Sequence, residues 1–187
     1  QAAVVKENGA DFVIEEVILE QPGYGEVLVK NIATGVCHSD EFVRQGMVQI
    51  PRVLGHEGAG IIEAVGPGVS TLAPGDKVIM GFNSCGTCNP CLAGRPYACE
   101  IFLVLNMFGT RADGSTNITA ADGSAVSGNF FGQSSFATYS VANVRNVVKL
   151  PADTPDKLHK ILGPFGCGLS TGAGTVINAL KVRPAES

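Results

Sequence analysis

Six cysteines and three histidines carry most of the chemistry that this sequence can offer. Four of the cysteines, Cys85, Cys88, Cys91 and Cys99, follow one another at offsets of three, three and eight residues. Gly86, Asn89, Pro90, Gly94 and Pro96 fill the gaps, and these residue types let a chain turn sharply. A tetrahedral Zn²⁺ takes four soft ligands about 2.3 Å away, and a looping segment can wrap four thiolates around one ion. Such a site has no open coordination position. It fixes a loop and does no chemistry.

The other two cysteines, Cys37 and Cys167, and the histidine His56 are the candidates for a second site. Two thiolates and a neutral imidazole balance the charge of Zn²⁺. Three protein ligands leave the fourth position for water or substrate, which is the catalytic kind of zinc site. His56 is 19 residues from Cys37 and 111 from Cys167, so the chain must fold to bring them together. Gly35, Gly55, Gly58, Gly60, Gly166 and Gly168 flank the three and permit tight backbone paths. Taken singly, each residue also has an ordinary reading, a cysteine as a small buried hydrophobe and a histidine as a satisfied polar group.

The elements around these residues read as mostly β. Residues 12–19 form one strand with irregular alternation, and 26–33 a strand with one buried face. A short helix runs from Cys37 to about Gln45, with Ser39 and Asp40 as capping types in its first turn. Residues 55–60 make a glycine-rich turn into a strand over 61–65, and Pro74-Gly75-Asp76 turns into a strand over 77–80. Residues 106–129 read as an irregular surface excursion. Two strands follow, over 135–141 and 144–150, then a short helix over 155–162. A longer helix spans about 169–180, its small residues Gly172, Ala173 and Gly174 suited to close packing and Pro184 just beyond its end. Many short strands between turn signals predict a barrel-like β domain.

Composition narrows the function. The chain has 187 residues, 45% apolar and 16% charged, with a formal net charge of −4. No basic stripe suits nucleic acid. No apolar run is long enough for a membrane helix, and the N-terminus lacks a signal-peptide core. Six cysteines could make three disulfides, but the tight spacing of four favours metal and a reducing, cytoplasmic compartment.

Four motifs stand in order: Gly35-Val36-Cys37-His38-Ser39-Asp40, Gly55-His56-Glu57-Gly58-Ala59-Gly60, the four-cysteine loop, and Gly166-Cys167-Gly168-Leu169-Ser170-Thr171-Gly172. Together they resemble the zinc-containing alcohol dehydrogenases of the medium-chain dehydrogenase/reductase family. The likeness runs from about Ala3 to Val182. It implies a GroES-like β-barrel catalytic domain over 1–166 and a connecting helix over 167–187 leading toward a Rossmann coenzyme domain. It makes Cys37, His56 and Cys167 ligands of a catalytic zinc, and Cys85, Cys88, Cys91 and Cys99 ligands of a structural one. Glu57 lies behind the catalytic metal. Asp40 accepts a hydrogen bond from His56 and fixes its tautomer. The same likeness implies that Ser39 takes the alcohol proton, that His38 approaches the coenzyme pyrophosphate and that Thr171 sits beside the nicotinamide. The metal lowers the pKa of an alcohol, which then gives hydride to NAD. A histidine that relays the proton in some members is replaced here by Phe42.

A dinucleotide fingerprint, Gly-x-Gly-x-x-Gly between strand and helix, is not present in the 187 residues. The segment Gly166–Gly172 is spaced one residue too long. The chain therefore reads as the catalytic portion of a longer enzyme, expected to bind two zinc ions and to turn over little substrate alone. Residues 129–137 are most similar to the aryl-alcohol (benzyl alcohol) dehydrogenase branch, which implies an aromatic primary alcohol as substrate. The glutathione-dependent formaldehyde and aliphatic branches are the alternatives. The family implies a dimer or tetramer. A different class, a non-catalytic zinc-loop binding or assembly module of the same fold, would have no use for Cys37, His56 and Cys167 around one open metal.

Overall fold

The computed structural model describes residues 1–46, 51–183 and 186. Among the described residues there are eleven strands: β1 (Ala2–Val5), β2 (Val13–Glu15), β3 (Val17–Leu19), β4 (Glu26–Thr34), β5 (Arg52–Val53), β6 (Gly58–Val65), β7 (Lys77–Met80), β8 (Ile118–Ala120), β9 (Ala125–Val126), β10 (Tyr139–Asn143) and β11 (Val147–Lys149). The helices are short: α1 (His38–Arg44), α2 (Asn89–Leu92), α3 (Phe102–Asn106), α4 (Asp156–His159) and α5 (Gly168–Gly174). None of them is long and apolar enough to cross a membrane.

The strands form a five-stranded sheet, β10-β4-β6-β7-β11, and two three-stranded sheets, β2-β1-β5 and β3-β8-β9. Strand β4 is the spine. It alternates buried Val27 and Val29 with more exposed neighbours, pairs antiparallel with both β10 and β6, and carries register shifts at Leu28/Val29 and Asn31/Ala33. Such bulges bend a strand and increase its twist. Val27, Val29, Ile62, Leu72, Val78, Met80 and Ala142 bury one core on this sheet. Ala2, Val4, Val53, Ile118 and Val126 bury a second, between the two small sheets. A third, of Val5, Val43, Leu54 and Phe130, lies under α1.

Several elements differ from the sequence reading. Residues 12–19 are two strands in two sheets, separated at Glu16: β2 pairs with β1, and β3 with β8. The irregular alternation is the trace of this switch: Val17 and Leu19 of β3 pack on the second core, while Val13 and Ile14 of β2 stay exposed. Residues 106–129 are not a surface excursion. They contain the β8–β9 hairpin, which buries Ile118 and Val126 in the second core, and they bury Asn106 and Asn117 completely. The buried guanidinium of Arg52 donates to the Met107 and Phe108 carbonyls, 3.4 and 3.3 Å away, and holds the start of this segment inside. Arg111 pins it again through Glu26 at 2.8 Å and Glu20 at 2.9 Å. Strand β6 begins inside the glycine-rich stretch, since Gly58 and Gly60 already pair with β4.

Strand β10 starts only at Tyr139, because the Ser135 and Phe136 amides are engaged by the Gly55 and Leu54 carbonyls instead. Asn143 caps a 3₁₀ turn, Val144–Asn146, that delays β11. The predicted helix over 155–162 is confined to Asp156–His159. Helix α5 continues as a π-helical turn, Thr175–Leu180. The close packing expected of its small residues is not present at Gly172, where an added Cβ would touch nothing within 4 Å among the described residues. Pro184 lies outside the described residues.

The five-stranded core is the frame for everything that follows. Replacing buried Ile62 by Ala should lower the unfolding free energy by about 2–5 kcal/mol. Replacing Ile18, which is 61% exposed, should change it by less than about 0.5 kcal/mol. Urea unfolding of the two variants checks this, and equal effects would contradict the assignment of the core.

Candidate functional site

Helix α1 starts at Cys37, which takes an extended conformation as its N-cap. Asp40, three residues on, reaches back so that its Oδ2 accepts the Cys37 amide at 2.9 Å. Capping thus involves Asp40 in a buried role, with Cys37 itself at the cap and Ser39 inside the first turn. The other oxygen, Oδ1, accepts the Gly55 amide at 3.0 Å and His56 Nδ1–H at 2.9 Å. One carboxylate, 1% exposed, therefore ties the start of α1 to the loop before β6.

With Nδ1 donating to Asp40, His56 Nε2 carries the lone pair. That atom is buried and has no hydrogen-bond partner among the described residues. Around it, ligand atoms of Cys37, His56, Glu57 and Cys167 all lie within 4.8 Å of one another. The Cys37 and Cys167 sulfurs are 3.9 Å apart. Cys167 arrives on the turn before α5, and Glu57 fits because Gly35 has no side chain: a Cβ there would overlap the Glu57 carboxylate.

The electrostatics of this group ask for a cation. Burial pushes the Cys167 thiol up to about 12, and the neighbouring Cys37 and Glu57 add to the shift. Burial also opposes ionisation of Cys37, but the Ser39 amide and hydroxyl and His56 outweigh it and lower that thiol. For His56, burial disfavours the charged ring, while Asp40 and Cys37 favour it and prevail, so its pKa is raised. A site that draws a proton onto Nε2 and resists a second thiolate is one whose donors fit a dication. Two sulfurs, one imidazole nitrogen and a nearby carboxylate form a donor set that suits Zn²⁺.

Two aromatic side chains enclose His56. Phe131 stacks on the ring, with centroids 4.5 Å apart and planes at 23°, and Phe130 meets it edge-on at 5.4 Å. Phe131 sits at φ 48°, a left-handed conformation that a non-glycine residue rarely adopts. Gln133 follows, fully buried. Its amide nitrogen donates to the His56 carbonyl at 2.9 Å and the Gly81 carbonyl at 3.0 Å, and its Oε1 accepts the Gly58 amide at 3.1 Å. Neither Phe131 nor Gln133 was marked by sequence as a support of the site. The signal available was a buried-looking run, Asn129–Phe136, that mixes amide and hydroxyl residues with aromatics.

The remaining candidates fall around this group. Ser39 Oγ is 3.8 Å from the Cys37 sulfur. His38 and Thr171 are exposed. Thr171 lines a cavity of about 280 Å³ together with Phe82, Tyr97, Phe102, Phe131, Gly166, Cys167 and Ser170. Phe42 is exposed on α1. His159 is buried and donates to the Val78 carbonyl at 2.9 Å.

The second group is the cysteine loop. Ligand atoms of Cys85, Cys88, Cys91 and Cys99 lie within 4.8 Å of one another, and all six cysteines of the chain are free thiols. Cys88 caps α2, whose first turn contains Pro90, and Cys99 follows a 3₁₀ turn, Pro96–Ala98. Backbone amides point at sulfur: Cys88 and Thr87 donate to Cys85 Sγ at 3.3 and 3.5 Å, and Cys85 donates to Cys99 Sγ at 3.4 Å. The Thr87 and Cys88 amides bring the Cys85 thiol down to about 6. Burial pushes Cys91 up to about 11, and its sulfur neighbours add to that. One stabilised thiolate, Cys85, beside a resisting thiol, Cys91, is again a set that a dication would complete.

Comparison with known proteins agrees with this architecture. Residues 23–152 match the family model described as alcohol dehydrogenase GroES-like domain. A geraniol dehydrogenase of Castellaniella defragrans is 47% identical over 100% of this chain and 50% of its own length. An alcohol dehydrogenase zinc-binding domain protein from Burkholderia ambifaria has a TM-score of 0.94 and 48% identity, over 100% of this chain and 50% of that one. A benzyl alcohol dehydrogenase from Acinetobacter calcoaceticus has a TM-score of 0.90 and 46% identity, over 100% and 49%. The chain belongs to the zinc-type medium-chain alcohol dehydrogenase family, and its mostly β fold is the GroES-like domain of that family. It spans about half the length of the curated relatives that it matches.

Two substitutions probe the supports of the site. Asp40→Ala removes the acceptor shared by Cys37, Gly55 and His56, and should weaken metal binding at the His56 group about 10–100-fold; competition titration with a chelator measures it. Gln133→Leu strands two buried carbonyls and an amide, and should cost about 2–4 kcal/mol in chemical unfolding. Unchanged affinity in the first or unchanged stability in the second would remove that residue from the account.

Proposed function

We propose that this chain is the catalytic portion of a zinc-dependent alcohol dehydrogenase that converts an apolar, aromatic or allylic primary alcohol to its aldehyde with NAD as hydride acceptor. The observation that carries the reading is His56 Nε2, a buried lone pair without a partner at the centre of a Cys, Cys, His and Glu donor set. Cys37, His56 and Cys167 would hold the catalytic ion, with Glu57 beside them, and Cys85, Cys88, Cys91 and Cys99 the structural one. Zinc held there supplies Lewis acidity that eases loss of the alcohol proton.

The chain's own residues do the rest. Asp40 keeps His56 in the tautomer that presents Nε2 inward. The Ser39 hydroxyl, close to the Cys37 sulfur, would relay the alcohol proton, taking it while passing its own to water or a coenzyme hydroxyl. His38 and Thr171, both exposed, are free to meet a coenzyme. The four aromatic side chains lining the cavity next to Cys167 exclude water and favour an apolar substrate. Geraniol and benzyl alcohol, named in two relatives, are both primary alcohols with an unsaturated carbon next to the carbinol. Residues 1–166 act as the catalytic domain, and 167–187 begin the connection to the coenzyme domain. Without a dinucleotide fingerprint, the isolated 187 residues bind metal but do not turn over alcohol. Free thiols suit a reducing cytoplasm, and a homodimer or homotetramer is the assembly this reading favours.

Elemental analysis of reduced protein, beside a Cys37→Ala/Cys167→Ala variant, tests the reading. Two zinc ions per chain should fall to one. A single zinc, unchanged by the double substitution, would leave the His56 group without metal and defeat the catalytic assignment.

A further inference from the structure

We propose that Arg145 is the counter-charge of the four-cysteine loop, a positioning residue whose guanidinium braces the Cys85–Cys88 turn and slows loss of the metal. The inference rests on the reading of that loop as a closed metal site, and it concerns a residue far from the loop in sequence.

The geometry begins at Gly86, between the first two cysteines, at φ 75°. Glycine is needed there twice. The conformation is left-handed. In addition, a Cβ on Gly86 would fall inside the Arg145 guanidinium, meeting Cζ, Nη1 and Nη2. The guanidinium thus lies directly on the backbone of the cysteine turn.

Its own backbone is well held. The Asn143 side chain accepts the Arg145 amide at 3.0 Å, and Val144 N–H donates to the Gly25 carbonyl at 2.8 Å. Asn146, next in sequence, accepts the Gly81 amide at 2.8 Å, and its side chain donates to Gly132 at 3.1 Å. One turn therefore joins the approach to the cysteine loop with the Phe131–Gly132 bend over His56.

The charge is available for this role. Arg44 and Arg111 are each spent on carboxylates. Arg145 forms no ion pair, and its guanidinium no hydrogen bond, among the described residues. Four thiolates around Zn²⁺ carry two net negative charges, and a cation held beside them offsets the charge of the loaded loop. Arg95, the cation within the loop itself, is exposed as Arg145 is but does not lie on Gly86, and serves as a control.

The test is zinc release to excess chelating dye from the Cys37→Ala/Cys167→Ala chain, so that only loop metal is counted. Arg145→Met should release zinc about tenfold faster in dilute buffer, the scale typical of groups that support metal ligands. The difference should shrink in about 1 M salt, where charges are screened within roughly 3 Å. Arg145→Lys should restore most of the parental rate, and Arg95→Met should match the parent. A parental rate in Arg145→Met overturns the inference and leaves the metal site standing. So does faster release that neither salt nor lysine alters, which marks a packing role. A parent chain holding no zinc in the loop overturns the metal reading and the inference with it.

Discussion

A single buried carboxylate organises the site. Asp40 accepts the amides of Cys37 and Gly55 and the Nδ1 proton of His56, so that a helix start, a loop and an imidazole share one anion. A charge buried this deeply is tolerated only when its lone pairs are filled. That requirement works in reverse as well: because Asp40 needs all three donors, it fixes the separation between α1 and the strand entering the five-stranded sheet. The direction of His56 Nε2 follows from this bond, and so does the place where Cys37 and Cys167 converge.

The two cysteine-rich groups show different ways of preparing for a cation. In the four-cysteine loop the ligands are near in sequence, and backbone amides aimed at sulfur do the preparation, strongly enough to bring Cys85 down to about 6. In the His56 group the ligands come from three parts of the chain, and side chains do the work. Here burial dominates, pushing Cys167 to about 12, with Cys37 and Glu57 adding to it. A local loop needs only turn residues to close. A site assembled across the fold needs the sheet, the Asp40 bonds and the aromatic cover over His56.

That cover comes from the segment between β9 and β10, which makes little regular structure. Phe130 and Phe131 pack on the imidazole, Gln133 satisfies the backbone on either side of Glu57, and Ser134 bonds the Val53 carbonyl at 2.8 Å. Two of these residues, Phe131 and Ser134, hold positive φ. Irregular backbone of this kind costs free energy locally and persists where surrounding contacts over-determine it. The segment places apolar surface beside Cys167 and polar atoms against the histidine loop.

The mostly β fold, the spine strand β4 and the four-cysteine loop were legible along the chain, because alternation and cysteine spacing are local signals that survive without neighbours. The motifs around Cys37, His56 and Cys167 marked the right family for the same reason. What the sequence hid was set by contacts between distant segments. Residues 12–19 divide between two sheets because each half pairs with a different distant strand, and residues 106–129 bury a hairpin whose start Arg52 and Arg111 hold in place. Gln133, Phe131 and Arg145 gained their places only in the folded chain. Their side chains act on backbone and rings that lie tens of residues away, and no period or spacing along the chain records such a meeting.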